Sequence, residues 1–296
     1  MKKFILNFVL ISLGVISLLF LLDFVYTKVY ENTIPRNKTQ YILSLEEGEV
    51  LDYVFLGSSR TENFIMPSVI KEVTKKKAVN LGTQGARLDD MAFFLRLLIS
   101  KKVEIKRLFV QVDYIFNFES SSDIVRAQAL PYIRSNAIIK NYMKRVDSGY
   151  TRNYYLPFYR YASNDYRLGF REFFASAINK KEKINFNDGF VPLFNSIKEG
   201  EQHVAELPME INKTNKSILE IEALCRANNI EVNYFCSPYC SGLITNNYLS
   251  KLKERLPNFK DFSMVIKEDS LFQNCSHLNI EGAKVFTNHL ITAFSL

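Results

Sequence analysis

The chain has 296 residues, 47% of them hydrophobic and 23% charged, a globular balance that excludes a disordered chain. Its net charge of +7 comes with no basic block longer than Lys75-Lys76-Lys77, which argues against nucleic acid as a partner. Three histidines, with no His-Glu-x-x-His or Cys-x-x-Cys spacing, argue against a multi-histidine zinc site.

Met1-Lys2-Lys3 precedes nineteen uncharged residues, Phe4 to Leu22. At 1.5 Å per residue such a run spans the roughly 30 Å hydrocarbon core of a bilayer. A cleaved signal peptide is the rival reading. Its small-x-small cleavage pattern is missing, since the first alanine is Ala78, and no cysteine follows for lipidation. A buried core helix would carry a polar face, which Asn7, Ser12 and Ser17 do not form. The run therefore predicts an uncleaved single-pass anchor over 1–26, followed by a polar linker over 27–48. Lys2 and Lys3 on one side nearly balance Lys28, Arg36 and Lys38 on the other. The short basic start before the apolar run places the body outside the cytoplasm. Four cysteines (Cys225, Cys236, Cys240, Cys275) fit disulfides in an oxidising compartment and fit free buried thiols equally.

From Val50 the pattern becomes α/β. Val50 to Leu56 is a short apolar run suited to a strand buried on both faces, and Gly57-Ser58-Ser59 ends it. A helix is predicted over Ile65–Lys75, a strand over Ala78–Leu81, and an amphipathic helix over Leu88–Ser100. Arg107 to Val112 gives a third strand. The rhythm resumes with a helix at Asn215–Ala227, a strand at Glu231–Phe235 and a helix at Tyr248–Arg255. A short strand around Ser263–Ile266 and a closing helix at Glu281–Ala293 complete it. Strand, glycine turn and helix in repetition predict a doubly wound parallel sheet. The predicted domain runs over 49–296 and carries a helical insertion after strand three, about 118–210. Ten aromatic residues between Tyr150 and Phe174 interleave with Arg152, Arg160, Arg167 and Arg171, which suits a helical subdomain packing its own rings or a binding platform.

Three turns carry candidate chemistry. Ser59 follows a buried strand, where a turn into a helix exposes a hydroxyl beside backbone N–H groups. Serine is also an ordinary turn and capping residue. Asn80-Leu81-Gly82-Thr83-Gln84-Gly85 ends a strand in two glycines, as close approach to a ligand requires, or as an ordinary turn allows. His277 precedes the last helix, placed for a general base or a polar surface residue.

A Gly-Ser-Ser turn after strand one, an Asn-x-Gly-x-x-Gly turn after strand two and a His-Leu-Asn before the last helix occur in that order. Together they resemble the SGNH/GDSL hydrolase superfamily, most of all its membrane-anchored branch related to teichoic-acid D-alanyl transfer and polysaccharide O-acetylation proteins. The resemblance covers about 50–117 and 211–294. It implies a flavodoxin-like three-layer α/β sandwich, with Ser59 as nucleophile, His277 as base, and the amides of Ser59 and Gly85 as the oxyanion hole. The branch implies a serine esterase or O-acyltransferase acting on an acylated glycan or other cell-envelope polymer, with a membrane acyl-transfer partner and no cofactor. The alternative is a catalytically silent, membrane-tethered glycan-binding or scaffold protein on the same fold.

Two positions depart from the family pattern. No Gly-x-Asn-Asp follows strand three, where Val112-Asp113-Tyr114 stands and the nearest asparagine is Asn117. The last motif has Asn274 where the family has an aspartate three residues before the histidine. Either Asn274 orients His277, or Asp269 folds back to do so, or catalysis is lost. Arg60 and Arg87 flank the two turns and suit an anionic substrate group, or else pair with Asp113 or Glu62 to brace the loops. Cys240 and Cys275 both fall in loops at the strands' carboxyl side, which allows a disulfide that spacing alone does not test.

Overall fold

Val, Leu, Phe and Tyr dominate the run Val50–Leu56, and in the computed structural model, which describes residues 1–181, 186, 188–197 and 204–296, it forms β1. With β2 (Ala78–Asn80), β3 (Glu104–Gln111), β4 (Glu231–Cys236) and β5 (Phe259–Asp261) it makes a parallel sheet in the order β2-β1-β3-β4-β5. Alternate residues serve alternate faces. Tyr53, Phe55 and Phe109 join Ile70 and the rings of Phe286 and Phe294 in one core cluster. Val54, Leu56, Leu108 and Val110 point the other way and are as fully buried. Helices cover both faces, as a sheet apolar on both sides demands. Pro67–Thr74 packs with the last helix, Ile280–Phe294, while Lys216–Ala227 packs on β4 and on Leu88–Ser100.

The fifth strand lies earlier than the sequence suggests, at Phe259–Asp261 rather than Ser263–Ile266. An apolar run was the wrong signal here. Among the described residues β5 pairs with β4 alone, so this edge position tolerates Lys260 and the exposed Asp261, while Ile266 goes into the core beyond the strand.

The chain divides into two compact units, Tyr41–Val125 with Lys183–Leu296, and Met1–Gln40 with Arg126–Glu182. The first holds the sheet. The insertion expected over 118–210 is therefore narrower on both sides, and 182–185, 187 and 198–203 lie outside the described residues. Residues 118–125 stay with the sheet because Asn215 Nδ2 donates to the carbonyls of Phe116 and Phe118, and Asp90 accepts from Ser122 N.

The second unit is built on α1 (Lys2–Asn32), a helix long and apolar enough to cross a membrane. The expected linker at 27–48 is largely helical, since α1 runs to Asn32 and another helix covers Lys38–Ser44. The reason is packing. Tyr26 and Tyr30 are buried, Tyr26 stacks on Phe173 at 4.0 Å between ring centres, and the Tyr30 hydroxyl donates to the Leu168 carbonyl at 3.0 Å. The aromatic stretch after Tyr150 folds into short helices that pack partly on one another and partly on α1.

Candidate active site

The carboxyl ends of β1 and β3 are the switch point of this sheet, where open α/β folds bind ligands. After β1, Gly57 and Ser58 lead into a single helical turn, α2 (Ser59–Glu62). Ser58 caps it, accepting from Arg60 N at 3.3 Å, while its own N–H and Oγ donate to Gln111 Oε1 at 3.0 and 2.8 Å. The turn after β2 lies directly against α2. A Cβ on Gly82 would sit 2.3 Å from Glu62 N, so no larger residue fits without moving the turn that carries Ser59. Asn80 completes the clasp, its Nδ2 donating to the Thr61 and Ile65 carbonyls at 2.7 and 2.8 Å.

His277 arrives from the far end of the chain on an antiparallel hairpin, β6 (Phe272–Asn274) and β7 (His277–Leu278). The register sets Asn274 opposite His277. Ser59 Oγ lies 2.8 Å from His277 Nε2, and His277 Nδ1 lies 3.1 Å from Asn274 Oδ1. Ser276 N–H donates to the same Oδ1 at 3.0 Å. That last bond decides the proton positions. Only an acceptor can face Ser276 N–H, so the amide oxygen faces the ring and Nδ1 must be the donor. In neutral imidazole Nε2 is then the acceptor, and the Ser59 hydroxyl donates to it. Burial first, and then the Arg60 charge, hold His277 below the ordinary histidine value, so the neutral form dominates at pH 7.

Asp269 plays no part in this chain of bonds. Its carboxylate accepts from Ser241 N and Oγ at 2.9 and 2.7 Å. The Cys240–Cys275 disulfide ties the loop after β4 to the tip of the histidine hairpin, and Cys240 N donates to the Cys275 carbonyl at 3.1 Å. Cys225 and Cys236 are free and buried.

Arg60 is not offered to a ligand. It is 3% exposed, pairs with Asp113, donates to the Ser237 and Pro238 carbonyls at 2.5 and 2.8 Å, and lies 3.5 Å from the Tyr239 ring centre. Gln111 Nε2 joins this network by donating to Asp113 Oδ2 at 2.7 Å. Arg60 thus braces the Ser59 turn against the ends of β3 and β4, the role its alternative reading gave it. Arg87 is half-buried, donates to Ser120 Oγ and lies over the Phe118 ring. Asn117 turns away from the site, donating to the Glu210 carbonyl and accepting from Asn212 N. Gly85 is exposed with φ +67°, and neither its N–H nor that of Ser59 is taken by an acceptor among the described residues. Gln111 and Tyr239 were not legible as site residues; the one available signal was a glutamine at the end of an apolar strand.

No family model matches the chain, and no curated protein matches it. Among solved structures it is similar to BT4096, a gut microbial diltiazem-metabolizing enzyme, at 14% identity and a TM-score of 0.30. That likeness covers 85% of this chain and 48% of the other, so this chain spans about half its length.

Proposed function

We propose that the chain is a membrane-anchored serine esterase or O-acyltransferase of SGNH type, acting outside the cytoplasm on acyl esters of a cell-envelope glycan. The observation that carries the catalytic part is the hydrogen-bond chain Ser59–His277–Asn274, with the hydroxyl donating to a neutral imidazole. The glycan rests on the sequence resemblance, and the membrane side on the apolar N-terminal helix.

Ser59 Oγ attacks the ester carbonyl while Nε2 takes the hydroxyl proton. The tetrahedral oxyanion is held by the N–H groups of Ser59 and Gly85. Collapse breaks the bond to the leaving alkoxide, which takes the proton from Nε2 and leaves an acyl-Ser59. Water or a sugar hydroxyl then gives its proton to Nε2 and attacks the acyl carbon, and collapse expels Ser59 Oγ, which takes that proton back from Nε2. Imidazolium formed on the way faces an amide dipole at Asn274 rather than a carboxylate, so it is less stabilised than in a Ser-His-Asp triad. That neutral partner is also the observation favouring the second reading, a silent glycan-binding scaffold.

A fluorophosphonate serine probe separates the two. The full chain in detergent is expected to label, and Ser59→Ala to stay blank. A wild-type chain that remains unlabelled at every pH between 5 and 9 overturns the catalytic reading.

A further inference from the structure

The second unit carries large rings that face outward. Tyr155 is 67% exposed, Tyr166 71% and Phe170 68%. Soluble surfaces seldom gather such rings, whereas Tyr and Trp collect in the headgroup layers of bilayers. Their height along α1 can be read from the contacts. Asp23, one residue past the apolar run, pairs with Arg134 and Arg160. The other arms of Arg134 donate to the carbonyls of Tyr154 and Leu156, at 2.7 and 3.4 Å, which sets Tyr155 at the level of Asp23. Phe173 stacks on Tyr26, four residues or about 6 Å beyond Leu22. Farther up, Thr33 Oγ1 donates to the Ser176 carbonyl at 3.0 Å, so the helix Phe170–Ala177 climbs α1 away from the apolar run, with Phe170 at its low end. Each headgroup layer is about 5–7 Å deep. Arg152 and Arg171, both exposed, lie three residues before Tyr155 and one after Phe170, Arg152 over the Tyr159 ring at 5.5 Å, and long basic side chains of this kind reach lipid phosphate.

We infer that Tyr155 and Phe170 sit in the headgroup layer of the bilayer that α1 spans, so that the second unit docks on the lipid surface around its own anchor. The inference rests on the anchor part of the proposed function. The occupant is lipid because the rings lie within one headgroup depth of the end of the apolar run, and because arginines accompany them.

The chain has no tryptophan, so single substitutions give clean fluorescence probes. The full chain is placed in nanodiscs of phosphatidylethanolamine and phosphatidylglycerol as four variants: Leu13→Trp, Tyr155→Trp, Phe170→Trp and Ile178→Trp. Ile178 is 57% exposed and neighbours Asn179, whose Oδ1 accepts from Ile34 N, twelve residues or about 18 Å beyond Leu22. Tyr155→Trp and Phe170→Trp are expected to be quenched by headgroup spin-labelled lipid, to resist iodide and to emit to the blue of Ile178→Trp. Ile178→Trp is expected to answer to iodide alone. Iodide quenching of all three, shielding without lipid quenching, or lipid quenching of Ile178→Trp as well overturns the inference. Leu13→Trp, read with bromine-labelled acyl chains, reports the anchor itself. Its failure to quench overturns the anchor reading and with it the docking, whereas its quenching with unquenched Tyr155→Trp and Phe170→Trp overturns the docking alone.

Discussion

Ser59 and His277 stand 218 residues apart in the chain and 2.8 Å apart in space. The contact is held at both ends by neighbours that do no chemistry: Gln111 fixes the Ser58 cap on one side, and Ser276 fixes the Asn274 amide on the other. In a serine-protease triad an Asp-to-Asn exchange costs about 10⁴ in turnover, mainly through the wrong tautomer. Here Ser276 already enforces the right one, so what the Ser59–His277–Asn274 chain lacks is the charge.

Asn274→Asp is therefore expected to raise turnover of an activated acetyl ester. A charge-assisted partner for the transition-state imidazolium is worth about 2–4 kcal/mol, or roughly 30- to 1,000-fold. Asp269→Asn is expected to leave turnover within about twofold, because Asp269 serves Ser241. A flat response to Asn274→Asp, with wild-type turnover equal to that of Ser59→Ala, would remove the catalytic reading.

The pH dependence has a definite sign. His277 titrates below the ordinary value of 6.5, and in the proposed reaction its neutral form is the base. Ester turnover should then persist below pH 6.5 and fall only as pH drops through the lowered value. In the same window His277 binds more protons in the unfolded chain than in the folded one, so its contribution to stability also falls as pH falls and is level well above 6.5. Asn274→Asp adds a negative partner and should move the acid limb upward. Rate profiles of both proteins, with imidazole titration by NMR, check both statements.

Fold topology was largely legible because it rests on short apolar runs punctuated by glycine, which local sequence reports directly. The positions of Ser59 and His277 were legible for the same reason, each lying beside a punctuation mark. What local sequence did not report were the long-range bonds: Gln111 under Ser58, Tyr239 against Arg60, and the choice of Asn274 over Asp269. Nor did it report the helical packing within 27–48, where Tyr30 meets Tyr132, Tyr161 and Leu168, each more than a hundred residues away.

The Cys240–Cys275 bridge closes a loop with a sequence separation of 35, for which chain entropy gives about 3–4 kcal/mol. Cys275 lies next to Asn274, so opening the bridge frees the hairpin that sets the base. Dithiothreitol, or Cys240→Ser with Cys275→Ser, is expected to lower the melting temperature and to cut turnover together. A lowered melting temperature with unchanged turnover at 25 °C would show that the hairpin holds His277 without the bridge.

Gly82→Ala puts a methyl group into the backbone of α2, 2.3 Å from Glu62 N. The turn must shift, and Ser59 shifts with it. Turnover is expected to drop about 10²-fold or more, as small displacements of a reacting group do. Gly48→Ala, in a turn with open space around it, is the control for stability, though its φ of +80° adds a modest strain of its own. Equal turnover in the two variants would show that the clasp between the turns is dispensable.

α1 is a single helix from Lys2 to Asn32, and the second unit grips it from Asp23 onward. There is no swivel at the point where an embedded α1 would leave the lipid. Its uncharged stretch, Phe4 to Leu22, measures about 28 Å, slightly short of an average hydrocarbon core. A thicker bilayer would draw the gripped unit against the surface, and a thinner one would lift or tilt it. With α1 embedded as proposed, membrane thickness would act on this unit through a rigid shaft rather than be absorbed by a slack tether.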